Sequence, residues 1–127
     1  MSTTTTAKMS TKEIAKKLKK LCDDGNFEGA QKELFAKDAV SIEPMASQGF
    51  EKETHGLSAI IEKGKKWNDM VSDVHSIEVS DPMVAGNTFA LTLRMDVTMK
   101  GKGRTEMNEL CVYNVKDGKI ISEQFFM

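Results

Sequence analysis

The stretch that decides the fold is Arg104–Met127, RTEMNELCVYNVKDGKIISEQFFM. Two extended runs flank Lys116-Asp117-Gly118, and an Asp-Gly pair between alternating runs is a strong hairpin signal. Met107, Glu109, Cys111, Tyr113 and Val115 share one face of the first run. Ile121, Glu123, Phe125 and Met127 share one face of the second. Such alternation means that one face of the hairpin is covered by other parts of the chain. Two glutamates on an apolar face are the anomaly, because a buried ionised carboxylate is costly unless it is paired. We read the hairpin as the wall of a pocket rather than as an oddly built core.

Working back from the hairpin, Lys100-Gly101-Lys102-Gly103 is a turn. Before it, Phe89, Leu91, Leu93, Met95, Val97 and Met99 alternate with Ala90, Thr92, Arg94, Asp96 and Thr98. Gly86-Asn87 is a further turn, and Asp81-Pro82 breaks the run before it. Residues 73–80 alternate as well, with Asp73, His75, Ile77 and Val79 on one face. The period changes near Val71 from 2 to about 3.6. Leu57, Ile60, Ile61, Gly64 and Trp67 mark a helix, with Gly64 expected to permit close approach of another element. Residues 45–54 read as a loop, and Val40–Pro44 as a short strand stopped by Pro44.

Two more helices precede that strand. Ser10 with Glu13 forms a capping box, followed by the stripe Ile14, Leu18, Leu21, Cys22. Phe27, Ala30, Leu34 and Phe35 form a second helix, expected to end near Lys37-Asp38. The lysines at 12, 16, 19 and 20 fall outside the first stripe and read as a solvated face, with no aromatic or Arg to suit nucleic acid. Three helices followed by an antiparallel meander mean an α+β fold. A sheet curling around those helices encloses a cone, apolar inside and open at one end.

Composition narrows the function. The chain has 127 residues, 39% hydrophobic and 29% charged, with net charge −1. One domain over residues 10–127 is expected, after a polar, disordered lead-in over residues 1–9. The balanced charge gives no general field for nucleic acid or an anionic membrane. No apolar run approaches the ~18 residues of a membrane span. Cys22 and Cys111 read as free buried thiols in a cytoplasmic protein. Nine Met hint at an adaptable apolar cavity. No G-x-S-x-G, Gly-rich phosphate loop or spaced metal-ligand set appears, so no cofactor or metal is expected.

The helix order, Glu43-Pro44, the Gly56/Ala59-Ile60 region and the terminal VYNVKDGKIISEQFF together resemble the SnoaL-like branch of the nuclear transport factor two-like superfamily. Ketosteroid isomerase and polyketide cyclases belong to the same group. The resemblance covers residues 10–127 and implies a cone-shaped α+β half-barrel, with three N-terminal helices on a curved, mostly antiparallel sheet. It also implies a homodimer formed through the sheet. Members include isomerases, cyclases, dehydratases and proteins without catalysis, so fold alone does not fix function.

By this resemblance Glu43, an acid directly before a proline on the short strand, takes the place of the isomerase's general base. A carboxylate in an apolar cavity suits that role, because desolvation raises its pKa toward the working pH. Glu109 lies near, but not on, the position of the isomerase's oxyanion-holding acid. Glu123 follows on the adjacent strand, and as direct or diagonal cross-strand neighbours the two would lie within ~4.5–8 Å. His75, on one face with Ile77 and Val79, is expected to point inward and join them as acid, base or relay. Trp67, Met107, Cys111, Tyr113, Phe125 and Met127 are the expected pocket lining. His55 falls in a loop. The isomerase's catalytic tyrosine comes from its helical half, and the first two helices here contain none. Arg94, Asp96 and Arg104, with Thr92 and Thr98, suit a polar sheet-to-sheet contact.

Two functions fit these expectations. One is a cofactor-independent isomerase or cyclase moving a proton on a small hydrophobic carbonyl compound. The other is a non-catalytic ligand-binding or interaction module using the same cone or sheet.

Overall fold

The structure, a computed structural model, describes residues 8–47 and 49–127. Helix α1 spans Thr11–Asp23 and α2 spans Phe27–Leu34. Strand β1 (Phe35–Ile42) follows directly, then β2 (Glu53–His55) and helix α3 (Leu57–Met70). Strands β3 (Val71–Val79), β4 (Met83–Ala85), β5 (Thr88–Met99), β6 (Gly103–Lys116) and β7 (Lys119–Phe126) complete the chain. Residues 1–7 of the expected lead-in lie outside the described residues.

The local rules act where the sequence places them. Ser10 Oγ accepts from the Glu13 N–H at 3.1 Å, and Glu13 Oε1 accepts from the Ser10 N–H at 2.8 Å. This reciprocal pair satisfies two donors that a helix start leaves open. Asn26 Oδ1 caps α2 through the Gly29 N–H at 3.1 Å. The hairpin between β6 and β7 closes through Asp117 and Gly118, both at positive φ (52° and 76°). Asn and Asp tolerate that region better than most residues, and glycine does so freely.

The sheet runs β2-β1-β7-β6-β5-β3, with β4 also paired to β5. Every pairing is antiparallel except β1 with β7. That parallel contact brings the first strand against the last, so residues from opposite ends of the chain share one wall. The three helices cover one face. Ile14, Leu18, Leu34, Ile60, Phe89 and Ile120 lie at the centre of the core, none more than 2% exposed. This is the expected α+β architecture of helices on an open, mostly antiparallel sheet.

Several local readings change. Helix α2 stops at Leu34, and Phe35–Lys37 extend β1 rather than the helix. Phe35 is buried from either element, so its apolar character did not separate them. The expected loop over 45–54 contains the start of β2, and the stretch after Pro82 forms β4. Both are three-residue strands, too short for a period to register. A Cβ at Gly64 would meet nothing nearer than Gln31 Oε1, at 3.9 Å. Gly64 is therefore not forced by close packing. It borders the cavity instead.

Of the register shifts in the sheet, two reset the alternation read from the sequence. In β3 the register shifts between Val74 and Ser76. In β7 the shift lies opposite Asn114/Val115, so Ile120 enters the core at 0% exposure while Ile121 does not. A bulge inserts one residue and turns the strand's later side chains to the other face. The face expected for Ile121 thus begins at Ile120, skips two residues where alternation would skip one, and resumes with Glu123 and Phe125.

Candidate functional site

Helices and sheet enclose a cavity of about 410 Å³. Its lining is mainly apolar: Phe27, Ile60, Trp67, Leu91, Leu93 and several methionines among others. Charged side chains interrupt that lining: Glu28 and Lys102, and, grouped together, Glu43, Lys63, Glu109 and Glu123. The grouped four come from four separate places, the end of β1, α3, β6 and β7. A cavity of that volume with a mainly apolar lining and a few polar groups has room for a small molecule.

The arrangement starts from strand register. Ser41 on β1 pairs with Glu123 on β7, and Glu123 pairs with Tyr113 on β6. Three inward side chains therefore form one row across three strands. Ser41 is fully buried, Glu123 is 4% exposed and Tyr113 4% exposed. Lys63 reaches down from α3 and donates to Ser41 Oγ at 2.7 Å and to Glu43 Oε2 at 2.9 Å. Ser41 in turn stands beside Glu123, its register partner on β7, and its hydroxyl favours the charged carboxylate. The result is a chain of polar contacts from Glu43 through Lys63 and Ser41 to Glu123. Lys63 Nζ also lies 5.7 Å from the centre of the Phe125 ring, within cation–π range.

Burial acts strongly on the carboxyls. Glu123 is raised to about 7, mainly because it is desolvated; Glu43 adds repulsion, while Ser41 and Lys63 pull the other way. Glu109 is also raised to about 7, first by desolvation, then by Glu43 and Glu123, with Lys63 opposing. Losing water disfavours the charged form of an acid, and nearby like charge adds to that. Two acids poised near neutrality in one apolar cavity suit proton transfer. The Tyr113 hydroxyl is pushed well above its usual value by burial and stays protonated. Its ring stacks on Phe89 at 4.9 Å.

The cavity therefore brings together Glu43, Glu109 and Glu123, and with them Trp67, Met107, Tyr113, Phe125 and Met127. It does not bring in His75. That side chain is exposed, with Nε2 2.7 Å from Thr98 Oγ1 on the outer face. The bulge at Val74/Ser76 is the reason, because it breaks the alternation that would have carried His75 inward with Ile77. His75→Gln should accordingly leave any chemistry in the cavity unchanged; a tenfold loss of turnover would return His75 to the site. Cys111 also stays out of the wall. Its short side chain is fully covered in the main core. Its thiol is pushed up by burial, as is that of Cys22 (to about 12), so neither is a nucleophile. Nor are Glu109 and Glu123 direct or diagonal neighbours. Glu123 faces Tyr113, which stands four residues along β6 from Glu109. They act on each other across the cavity rather than across a strand pair.

Lys63 and Ser41 are the residues of this polar group that the sequence reading passed over. Lys63 sits with Ile60, Gly64 and Trp67 at i, i+3, i+4, i+7. That is the apolar stripe of α3, and a lysine on it was the available signal. The outer face of the sheet carries its own ion pairs. Arg94 Nη2 meets Glu106 Oε2 at 3.1 Å, and Arg104 grips Asp96 through two bonds of 2.9 and 2.8 Å. Among the described residues no group of three or more His, Cys, Asp or Glu is placed to hold a metal ion. No helix among them is long and apolar enough to cross a membrane.

Comparison with known proteins agrees with this architecture. A family model for the SnoaL-like domain matches residues 9–127. A candidate SnoaL-like polyketide cyclase from Mesorhizobium loti is 37% identical, with TM-score 0.86 over 94% of this chain and all of that one. A protein of unknown function with a cystatin-like fold from Xanthomonas campestris is 20% identical, with TM-score 0.78, covering 93% of this chain and 90% of its own. IdmH from Streptomyces antibioticus, a candidate polyketide cyclase, is 20% identical, with TM-score 0.70, covering 93% and 91%. The last two likenesses speak to fold alone. No curated protein sequence matches. The chain belongs to the SnoaL-like domain family.

Proposed function

We propose that this protein is a cofactor-independent isomerase- or cyclase-like enzyme that moves a proton on a small apolar carbonyl compound. The observation that carries this reading is the convergence of Glu43, Lys63, Glu109 and Glu123 in one largely apolar cavity, with two of the carboxyls raised to about 7. An acid of that strength is half ionised at neutral pH, so it serves as base in one direction and acid in the other. Glu109 is the working group. It borders the cavity and is less covered than Glu123. Glu123, beside Ser41 in the cavity wall, supplies a proton reserve. Lys63 pairs with Glu43, and this couple replaces the isolated acid-before-proline base that the resemblance implies. The family kinship supports acid–base chemistry on a carbonyl compound without specifying the reaction.

The test is deuterium exchange. Small alicyclic and aromatic ketones incubated with the protein in deuterium oxide should gain α-deuterium faster than in buffer, as read by proton NMR. Ketones that occupy the cavity, seen by shifted protein resonances around it, yet exchange no faster than in buffer would leave a binding protein and remove the enzyme.

We further propose that the outer sheet face forms a homodimer contact. Leu110 and Phe126, 42% and 46% exposed, pair with each other there beside the ion pairs of Arg94 and Arg104. Sedimentation at the mass of a single chain across micromolar concentrations would rule the contact out.

A further inference from the structure

The cavity holds an ammonium as well as its acids, and that ammonium has bonding capacity left. Lysine carries three N–H donors. Two of those of Lys63 go to Ser41 and Glu43. The third has no hydrogen-bond partner among the described residues, and the side chain borders the cavity with 16% of its surface exposed. Ser41, fully buried on β1, and Glu43 hold the amine from the sheet side, so its position does not depend on a ligand. A charged donor fixed in an apolar cavity is worth most against an anionic oxygen, because no water competes for it.

We propose that Lys63 is the oxyanion holder of this cavity, and that the cavity takes an apolar molecule through one acidic oxygen, carried as a carboxylate, enolate or phenolate. The proposal rests on the reading of the cavity as the ligand site. It adds a residue and a ligand polarity that the family membership does not supply. In the proton transfer described above, the carbonyl oxygen becomes anionic as the α-proton moves to Glu109. Lys63 then stands as the donor for that oxygen from the helical half of the cavity.

Electrostatics adds a consequence with a definite sign. Glu109 faces Glu43 from the end of β1, Lys63 from α3 and Glu123 from β7, while Glu28 of α2, Lys102 and Tyr113 border the same cavity. An anion arriving at Lys63 adds negative charge to a wall that already carries three carboxyls. It raises Glu109 and Glu123 further, so binding draws in a proton. Affinity for an anion is therefore greatest below about 7, where both acids are protonated, and falls as pH rises through that value. A cationic ligand would show the opposite slope.

Three bicyclic probes of one shape separate these cases: naphthoate, naphthamide and naphthylmethylammonium. Binding is read by calorimetry below and above neutrality, in two buffers of different ionisation heat so that proton uptake is counted. Naphthoate should bind best, take up a proton, and weaken as pH rises. Lys63→Met, which keeps the apolar stem, should weaken naphthoate by about ten- to a hundredfold while leaving naphthamide within about twofold. Lys63→Arg should restore the preference for the anion. A merely structural lysine would affect the acid and the amide alike. Preference for the ammonium probe, or a naphthoate preference that survives Lys63→Met, overturns the proposal, and so does failure of the wild-type protein to bind naphthoate. Ketone exchange is measured separately. Its absence beside a Lys63-dependent preference for naphthoate would remove the enzyme and leave the anion site standing.

Discussion

Glu109→Gln should lower ketone exchange by about 10²–10⁴-fold, the usual contribution of one positioned acid–base group. Glutamine keeps the shape and the acceptor oxygen of the side chain but cannot take up a proton, so the loss measures proton transfer rather than packing. The pH profile is the sharper reading. Glu109 must be ionised to act as a base, and burial followed by repulsion from Glu43 and Glu123 raises it to about 7. Wild-type exchange should therefore rise with pH up to about 7 and level off above it. Lys63 opposes the shift, so Lys63→Met should move the same inflection upward. Exchange that persists in Glu109→Gln, or a profile whose inflection stays near the ordinary value for a glutamate, 4.5, would take Glu109 out of the role.

How much of this could be read from residues alone depends on whether the signal was local. The capping box at Ser10, the turn at Asp117-Gly118 and the long alternation of β5 are local, and each forms where its pattern lies. The two inward glutamates of the hairpin were legible for the same reason. Losses came where one inserted residue altered a strand. His75 was expected inside because it stands two residues before Ile77, yet the bulge between Val74 and Ser76 leaves it outside. The same kind of event exchanged Ile121 for Ile120. A bulge has no reliable composition, and its effect passes to every later residue of the strand. Register between strands was equally hidden. Nothing within β6 or β7 says that Glu123 faces Tyr113 and not Glu109. Lys63 was missed for a different reason. A lysine on a helix is ordinarily solvated, and its meaning depends on Ser41 and Glu43 lying across the cavity, on and just past a strand brought in by the parallel β1–β7 contact.

Stability should fall as pH rises from about 4.5 to about 7, in the range where many proteins approach their maximum. Glu109 and Glu123 carry an ordinary value of 4.5 in the unfolded chain and about 7 in the folded one. Between those limits the folded state binds more protons than the unfolded state, so the slope of stability against pH is negative. The stabilising contribution is complete below the unfolded value and is lost as pH passes the folded one. Each carboxyl accounts for roughly 3 kcal/mol over the window, a large share of the stability of an ordinary domain. Groups shifted the other way do not mask the effect. Glu13, Glu28 and Asp96 are held low by Ser10, Lys32 and Arg104 respectively, and their contribution is lost only at more acidic pH. Urea unfolding at successive pH values is the measurement. Wild-type stability should decline through the window and flatten above about 7. The double variant Glu109→Gln/Glu123→Gln should stay level and become the more stable protein above neutrality. A wild-type curve flat across the window would mean that the two acids are solvated in the folded state, and that the cavity does not tune them. A decline that disappears in the double variant, together with its ketone exchange, would locate the destabilisation and the chemistry in the same two side chains. Keeping glutamate there despite that cost is what a site selected for proton transfer rather than for stability requires.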